Sequence, residues 1–268
     1  MDFKFNRFFS LMRWTLARSK KSMIVIAASF TGVMLFLTGM AVTGAESIKD
    51  YHVILERMCG LAMCMFFIFL IVSPSFLMTN YKRRQGALAY LSLPASSFEK
   101  YLSRFVLITV IWGCCLIVGY LIFDLLQYII ASIVIGREAE MSTFSYLLNS
   151  KVAFFNIDGT NSLKSLLFVW LLLIWFQSIY ALGGTFLRRF QWIFVSVILL
   201  VGLIVFLSWA TGSGARSVAL WLMDHKDQLP LYRTILCVVI ALFIILNYRL
   251  SYRFFKRTQV IQNKWFNV

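Results

Sequence analysis

Histidine, proline and acid are scarce in this chain. Its 268 residues include two histidines, three prolines and eleven Asp plus Glu, and only 14% are charged. A water-soluble domain carries nearer a quarter. His52 and His225 both fall between apolar runs, so no buried Ser–His pair is available for catalysis. There is no HExxH, no pair of carboxylates within an apolar run and no GxxxxGK[ST] phosphate loop, which excludes ATP binding and hydrolysis by that route. Cysteine is modest and odd in number. Cys59, Cys64, Cys114, Cys115 and Cys237 all lie in apolar segments with neither CxxC nor Cys/His ligand spacing. They read as small apolar packing residues, and they imply no disulfide framework or metal site.

Apolar sequence is abundant: 60% of the residues are hydrophobic, and the mean hydropathy is +0.80. One water-soluble core could not hide that much Leu, Ile, Val and Phe, so the excess needs lipid. Six runs are long enough to span a bilayer as helices: 23–43, 58–78, 105–122, 165–187, 192–210 and 231–247. The third can continue toward Ile135. Backbone groups cannot stay unpaired in hydrocarbon, so each run is expected to be helical. The chain therefore reads as an all-α integral membrane protein, with residues 1–268 forming a single transmembrane domain. Basic residues precede the first run and 41–45 is small enough to mimic a cleavage site. A run of 21 residues is nonetheless too long for a signal-peptide core, so it is expected to stay as the first span.

The formal net charge is +15. Its distribution assigns it to the membrane and not to nucleic acid, because the bases flank the apolar runs. Segments 1–22, 80–104, 188–191 and 248–268 hold 18 of the 26 Lys and Arg. Segments 44–57, 136–164 and 211–233 hold the other eight, together with eight of the eleven acids. The positive-inside rule then puts both ends of the chain in the cytoplasm.

Two of the inner segments carry more than charge. In the first 20 residues, Phe5, Phe8, Phe9, Met12 and Leu16 share a helical face, with Arg7, Arg13, Arg18 and Lys20 largely elsewhere. Such a helix lies in the interface, basic face toward anionic headgroups, either as a plain anchor or as an elbow that passes movement to the first span. The loop 80–104 opens with Lys82-Arg83-Arg84 and continues as a helix-capable run through Leu91. Leu93-Pro94 breaks that helix. Ser96-Ser97-Phe98-Glu99 is an S-x-x-E capping box that restarts one. Leu88, Tyr90, Leu91 and Leu93 sit among charges there, as a docking surface for a protein partner or as the packing of a folded loop on the headgroups.

Polar residues within spans are costly. Asp124, about 19 residues from the inner start of its span, is expected near the outer headgroups and solvated, the alternative being a proton relay on a pathway. Gln177 is nearer mid-membrane, where it lines a path or bridges helices. Pro74, between Ser73 and Ser75, should kink the second span, with a serine meeting the freed carbonyl. Gly32, Gly39, Gly113, Gly119 and Gly183-Gly184 permit close helix contacts.

The stretch Lys82-Arg83-Arg84 followed by Leu91-Ser92-Leu93-Pro94-Ala95-Ser96-Ser97-Phe98-Glu99-Lys100-Tyr101-Leu102-Ser103-Arg104 resembles permease subunits of ABC-2 type transporters. The tail Tyr252-Arg253-Phe254-Phe255-Lys256-Arg257-Thr258-Gln259-Val260-Ile261 is similar to theirs as well, and the six-span plan covers essentially the whole chain. The resemblance implies a type V exporter-like transmembrane domain with an N-terminal elbow helix, in the bacterial cytoplasmic membrane. It implies a homodimer, or a heterodimer with a second permease, bound to two cytoplasmic ABC ATPase subunits. No cofactor would bind this chain; ATP and Mg would sit on the partner ATPase. Lys82, Arg83, Arg84, Leu88, Leu91 and Leu93 would form the ATPase contact, structured by Pro94, Ser96 and Glu99. Arg188 and Arg189 would form a smaller second contact, and 211–230 would fold back into the outer leaflet. The lack of a large outer domain departs from the macrolide- and lipoprotein-exporter permeases. The rival readings are a membrane scaffold or immunity-type protein that binds a partner without transport, and an intramembrane enzyme, which lacks the catalytic groups.

Overall fold

The computed structural model describes residues 4–42, 48–81, 84–134, 162–187, 190–211 and 229–257. These residues are almost entirely helical, with a non-helical turn at 92–96, and six of the helices are long and apolar enough to cross a membrane. They are α1 (Phe5–Val42), α2 (Ile48–Val72), the continuous α4–α5, α6 (Ser162–Phe186), α7 (Gln191–Thr211) and α8 (Leu229–Arg257). A 3-10 segment, Ser73–Tyr81, follows α2, and a short α3, Arg84–Leu91, precedes α4 (Ser97–Val106) and α5 (Trp112–Val134). These helices form a multi-pass membrane protein. The 38 residues of α1 would measure about 57 Å against a hydrocarbon core of roughly 30 Å. The basic amphipathic stretch and the first span are therefore one unbroken helix, with much of its length outside the core.

The chain divides into two compact units, Met1–Leu70 with Leu102–Leu166, and Ile71–Tyr101 with Leu167–Val268. In the first, α1, α2 and α5 enclose a cluster of Met34, Ala62, Tyr120 and Phe123, with Phe30, Met58 and Met65 packed on it. Gly119 allows α5 to press against α1. A Cβ there would stand 2.9 Å from the Ala27 carbonyl oxygen, and Thr31 Oγ1 donates to the Gly119 carbonyl at 2.7 Å. Such small-residue contacts replace the hydrophobic effect as glue between helices in lipid. Phe69 lies beside Trp112 and Leu70 beside Gly113, whereas Ala62 meets Tyr120. Residue numbers thus fall along α2 as they rise along α5, and the two helices run antiparallel. Between α4 and α5 the backbone widens into a π turn over Leu107–Ile111, closed by the Trp112 N–H donating to the Leu107 carbonyl.

In the second unit, α6 and α8 run parallel. Arg233 lies over the ring of Phe168, Asn247 bonds Ser178, Tyr248 bonds Gln177 and Phe254 meets Phe186. The helix α7 returns antiparallel to α6, with Val195 against Gly183 and Tyr180 sharing a 2.7 Å hydrogen bond with Ser196. From Leu200 to Trp209, α7 is exposed on every side. Gln191 Nε2 donates to the carbonyls of Leu187 at 2.7 Å and Gly184 at 3.3 Å, which satisfies acceptors that the end of α6 would otherwise leave orphaned. Gly184 sits directly on the 3-10 segment: a Cβ there would be 2.6 Å from Ser75 Cα and 2.8 Å from the Pro74 carbonyl oxygen. Pro74 stands where α2 gives way to the 3-10 helix. Ser75 is fully buried, and its hydroxyl has no hydrogen-bond partner, so it does not meet the carbonyl that Pro74 frees.

Candidate functional site, a helical hairpin seated on the end of α8

The segment between the 3-10 helix and α5 is a folded hairpin. α3 ends at Leu91, and the chain turns through 92–95. The Ser92 N–H donates to the Leu88 carbonyl and the Ala95 N–H to the Leu93 carbonyl. At the start of α4, the Ser96 N–H donates to Glu99 Oε2 at 2.8 Å and the Glu99 N–H donates to Ser96 Oγ at 3.2 Å. This reciprocal pair occupies two of the donors that a helix N-terminus leaves open. Pro94 lies exposed in the turn, where a missing N–H costs nothing.

The hairpin is anchored from inside by two tyrosines. Tyr90, fully buried on α3, donates its hydroxyl proton to the Lys100 carbonyl at 2.7 Å and so ties the two arms together. Tyr101 is buried on α4, with its hydroxyl 3.1 Å from Ser251 Oγ on α8. Its ring meets Tyr252 and Phe255 edge-on, at centroid distances of 5.6 and 5.4 Å. Phe98 meets Tyr252 the same way at 5.8 Å. Edge-on packing of this kind is worth about 0.5–1.5 kcal/mol per pair beyond area burial. The outer surface of the hairpin is different: Leu88 is 49% exposed and Phe98 47%.

Of the residues marked out by sequence, Leu88, Leu93, Pro94, Ser96 and Glu99 come together in this hairpin. Arg84 and Leu91 stand at the two ends of α3, their side chains outside the described part. Lys82, Arg83, Arg188 and Arg189 lie outside the described residues, as do 212–228. Gln177 is not in the hairpin; its Oε1 accepts the Tyr248 hydroxyl at 3.4 Å and bridges α6 to α8. Asp124 is on α5 in the other unit and is 8% exposed, so it faces protein rather than the solvent expected for it. Sequence reading missed Ser178, Thr185, Asn247 and Ser251, which form a polar seam between α6 and α8. Their spacing on α8, Asn247 to Ser251, is one helical turn, the signal that could have found them.

Comparison with family models, with curated proteins and with solved structures finds no match to this chain. Among the described residues no group of three His, Cys, Asp or Glu is placed to hold a metal ion. A cavity of about 260 Å³ in the first unit is lined by Phe30, Ala62, Met63, Phe66, Leu116 and Tyr120 among others. Its lining is apolar and offers nothing to hold a charged substrate. The hairpin, with exposed Leu88 and half-exposed Phe98, is packed on the end of a spanning helix. Around that end lie Lys100, Arg249, Arg253, Lys256 and Arg257, while Arg233 marks the opposite end of α8.

Proposed function

We propose that this chain is the membrane-spanning subunit of an ATP-binding cassette exporter, worked by a separate cytoplasmic ATPase that docks on the α3–α4 hairpin. The observation that carries the reading is the hairpin itself. It is internally bonded and fastened to α8 by three edge-on aromatic contacts, one of them made by a half-exposed Phe98, yet it leaves Leu88 outward. A loop that only links two spans needs neither the anchorage nor the apolar tip.

In this reading the basic end of α8 faces the cytoplasm, by the charge bias of the flanking segments, and both chain ends lie on that side. The N-terminal part of α1 continues the first span out through the inner headgroups as the same helix, so the expected elbow is not a separate element, and it carries Arg7, Arg13, Arg18 and Lys20 to the anionic inner surface. ATP and Mg belong to the partner. The permease works as a dimer, and alternating access at the dimer interface moves the substrate. The family resemblance of 82–104 and of the tail, with the six spans, supports the assignment.

The test is purification of the tagged full chain from its native membrane. A copurifying subunit with a phosphate loop and ATP hydrolysis is expected. Leu88→Asp should cut its recovery at least tenfold, about the 1.4 kcal/mol that burying a charge at a docking surface exceeds readily. Gly202→Ala, at a position with open space around it, should leave recovery unchanged. A partner without a nucleotide site would replace the exporter with a scaffold, and unchanged recovery of the ATPase with Leu88→Asp would remove the hairpin as its dock.

A further inference from the structure

Three elements of the second unit meet at one hydroxyl. Ser251, fully buried on α8, donates to the Ala181 carbonyl of α6 at 3.2 Å. Thr185 Oγ1, also on α6, donates to Ser251 Oγ at 3.2 Å. Tyr101 of α4 places its hydroxyl 3.1 Å from the same oxygen. A serine hydroxyl has one proton and two lone pairs. With the proton on Ala181, the lone pairs of Ser251 face the Tyr101 hydroxyl and the Thr185 hydroxyl, whose single proton also has the nearer Leu182 carbonyl at 2.9 Å.

We infer that Ser251 is a positioning residue, the junction through which displacement of the hairpin is passed to α6 and α8 together. The mechanical meaning of this junction rests on the docking role proposed above; its existence does not. The geometry favours transmission over mere adhesion. The junction lies at the root of the hairpin, four residues before Phe255, whose ring holds the same Tyr101. Hydrogen bonds in such a dry site constrain direction, which aromatic contacts alone do not. The three bonds are also unequal. Thr185 has one proton and two alternative acceptors in its own helix, Leu182 at 2.9 Å and Ala181 at 3.2 Å. It can release Ser251 without leaving a buried donor unpaired. The links of Ser251 to Tyr101 and to Ala181 therefore carry the junction, and Thr185 is its replaceable arm.

The test is hydrogen exchange on the full chain in lipid discs, read over residues 84–101 and, as an internal reference, over 191–200. Tyr101→Phe keeps the ring contacts and removes only the hydroxyl. It should raise exchange in the hairpin by about threefold to tenfold, the range expected for one buried hydrogen bond between helices. Ser251→Ala should do the same, and the double variant should exchange no faster than either single one, because both remove one shared bond. Thr185→Val should change the hairpin less than twofold. The reference segment, joined to α6 through Tyr180 and Ser196, should stay constant in all. Multiplicative effects of Tyr101→Phe and Ser251→Ala, or equal loss of protection in both segments, would overturn the inference. Should Ser251→Ala not accumulate, unchanged hairpin exchange in Tyr101→Phe is enough to overturn it. The two proposals fail separately: this exchange pattern without any bound ATPase would sink the docking role and keep the junction.

Discussion

Gly184 and Ser75 show how single residues set the contact between α6 and the 3-10 segment. The Cβ of an alanine at 184 would meet main-chain atoms of Pro74 and Ser75 below 3 Å, and main chain cannot step aside as a side chain can. Gly184→Ala should destabilise the folded protein by about 1–3 kcal/mol, read as a lowered midpoint in thermal unfolding in detergent. Ser75→Ala should be neutral or slightly stabilising in the same assay, because it deletes a buried hydroxyl without a partner, and such a group costs about 1–3 kcal/mol. Neither outcome was legible in sequence. Gly32 and Gly39 looked as well suited to close packing as Gly119 and Gly184, yet nothing lies within 4 Å of a Cβ at the first two. A glycine matters only on the face that a neighbouring helix covers, and that neighbour is chosen by the fold. Asp124 followed the same rule. Its depth along α5 could be counted, but the side of the helix it occupies depends on packing.

Elements were easier to read where the signal is local. Ser96 and Glu99 stood out by spacing alone, because a capping box is chemistry among four consecutive residues. Ser96→Ala should weaken the start of α4 by about 0.5–2 kcal/mol, visible as faster exchange of the amides at 97–100 with the far end of α5 unaffected. Helix ends were less legible. The apolar runs 58–78 and 231–247 understate their helices, since α2 begins at Ile48 and α8 continues to Arg257. Hydropathy reports where hydrocarbon begins, and a helix that leaves it can continue in water with charged side chains. The π turn at Leu107–Ile111 has no sequence signature, since any apolar run satisfies it equally well.

At the scale of the whole molecule, the number of spanning helices was written in composition, because bilayer thickness imposes a length on every run. Their pairing was not, since in lipid an apolar face does not mark its partner. The antiparallel α2 and α5, and the parallel α6 and α8, are each what alternating passes through a membrane require. The proposed orientation has its own check: a membrane-impermeant thiol reagent applied to sealed cells should label cysteines introduced at Asp158 and His225 and spare those at Ser10 and Arg253. Labelling with the reverse pattern would invert the molecule.

The central claim is that the hairpin receives a motor. A photo-crosslinking amino acid at position 88 of the full chain, irradiated in native membranes, tests it most directly. The account predicts one dominant adduct, to a subunit that carries a phosphate loop, lost when Leu93 is replaced by Asp. Adducts to lipid alone, or only to a second copy of this chain, would contradict it.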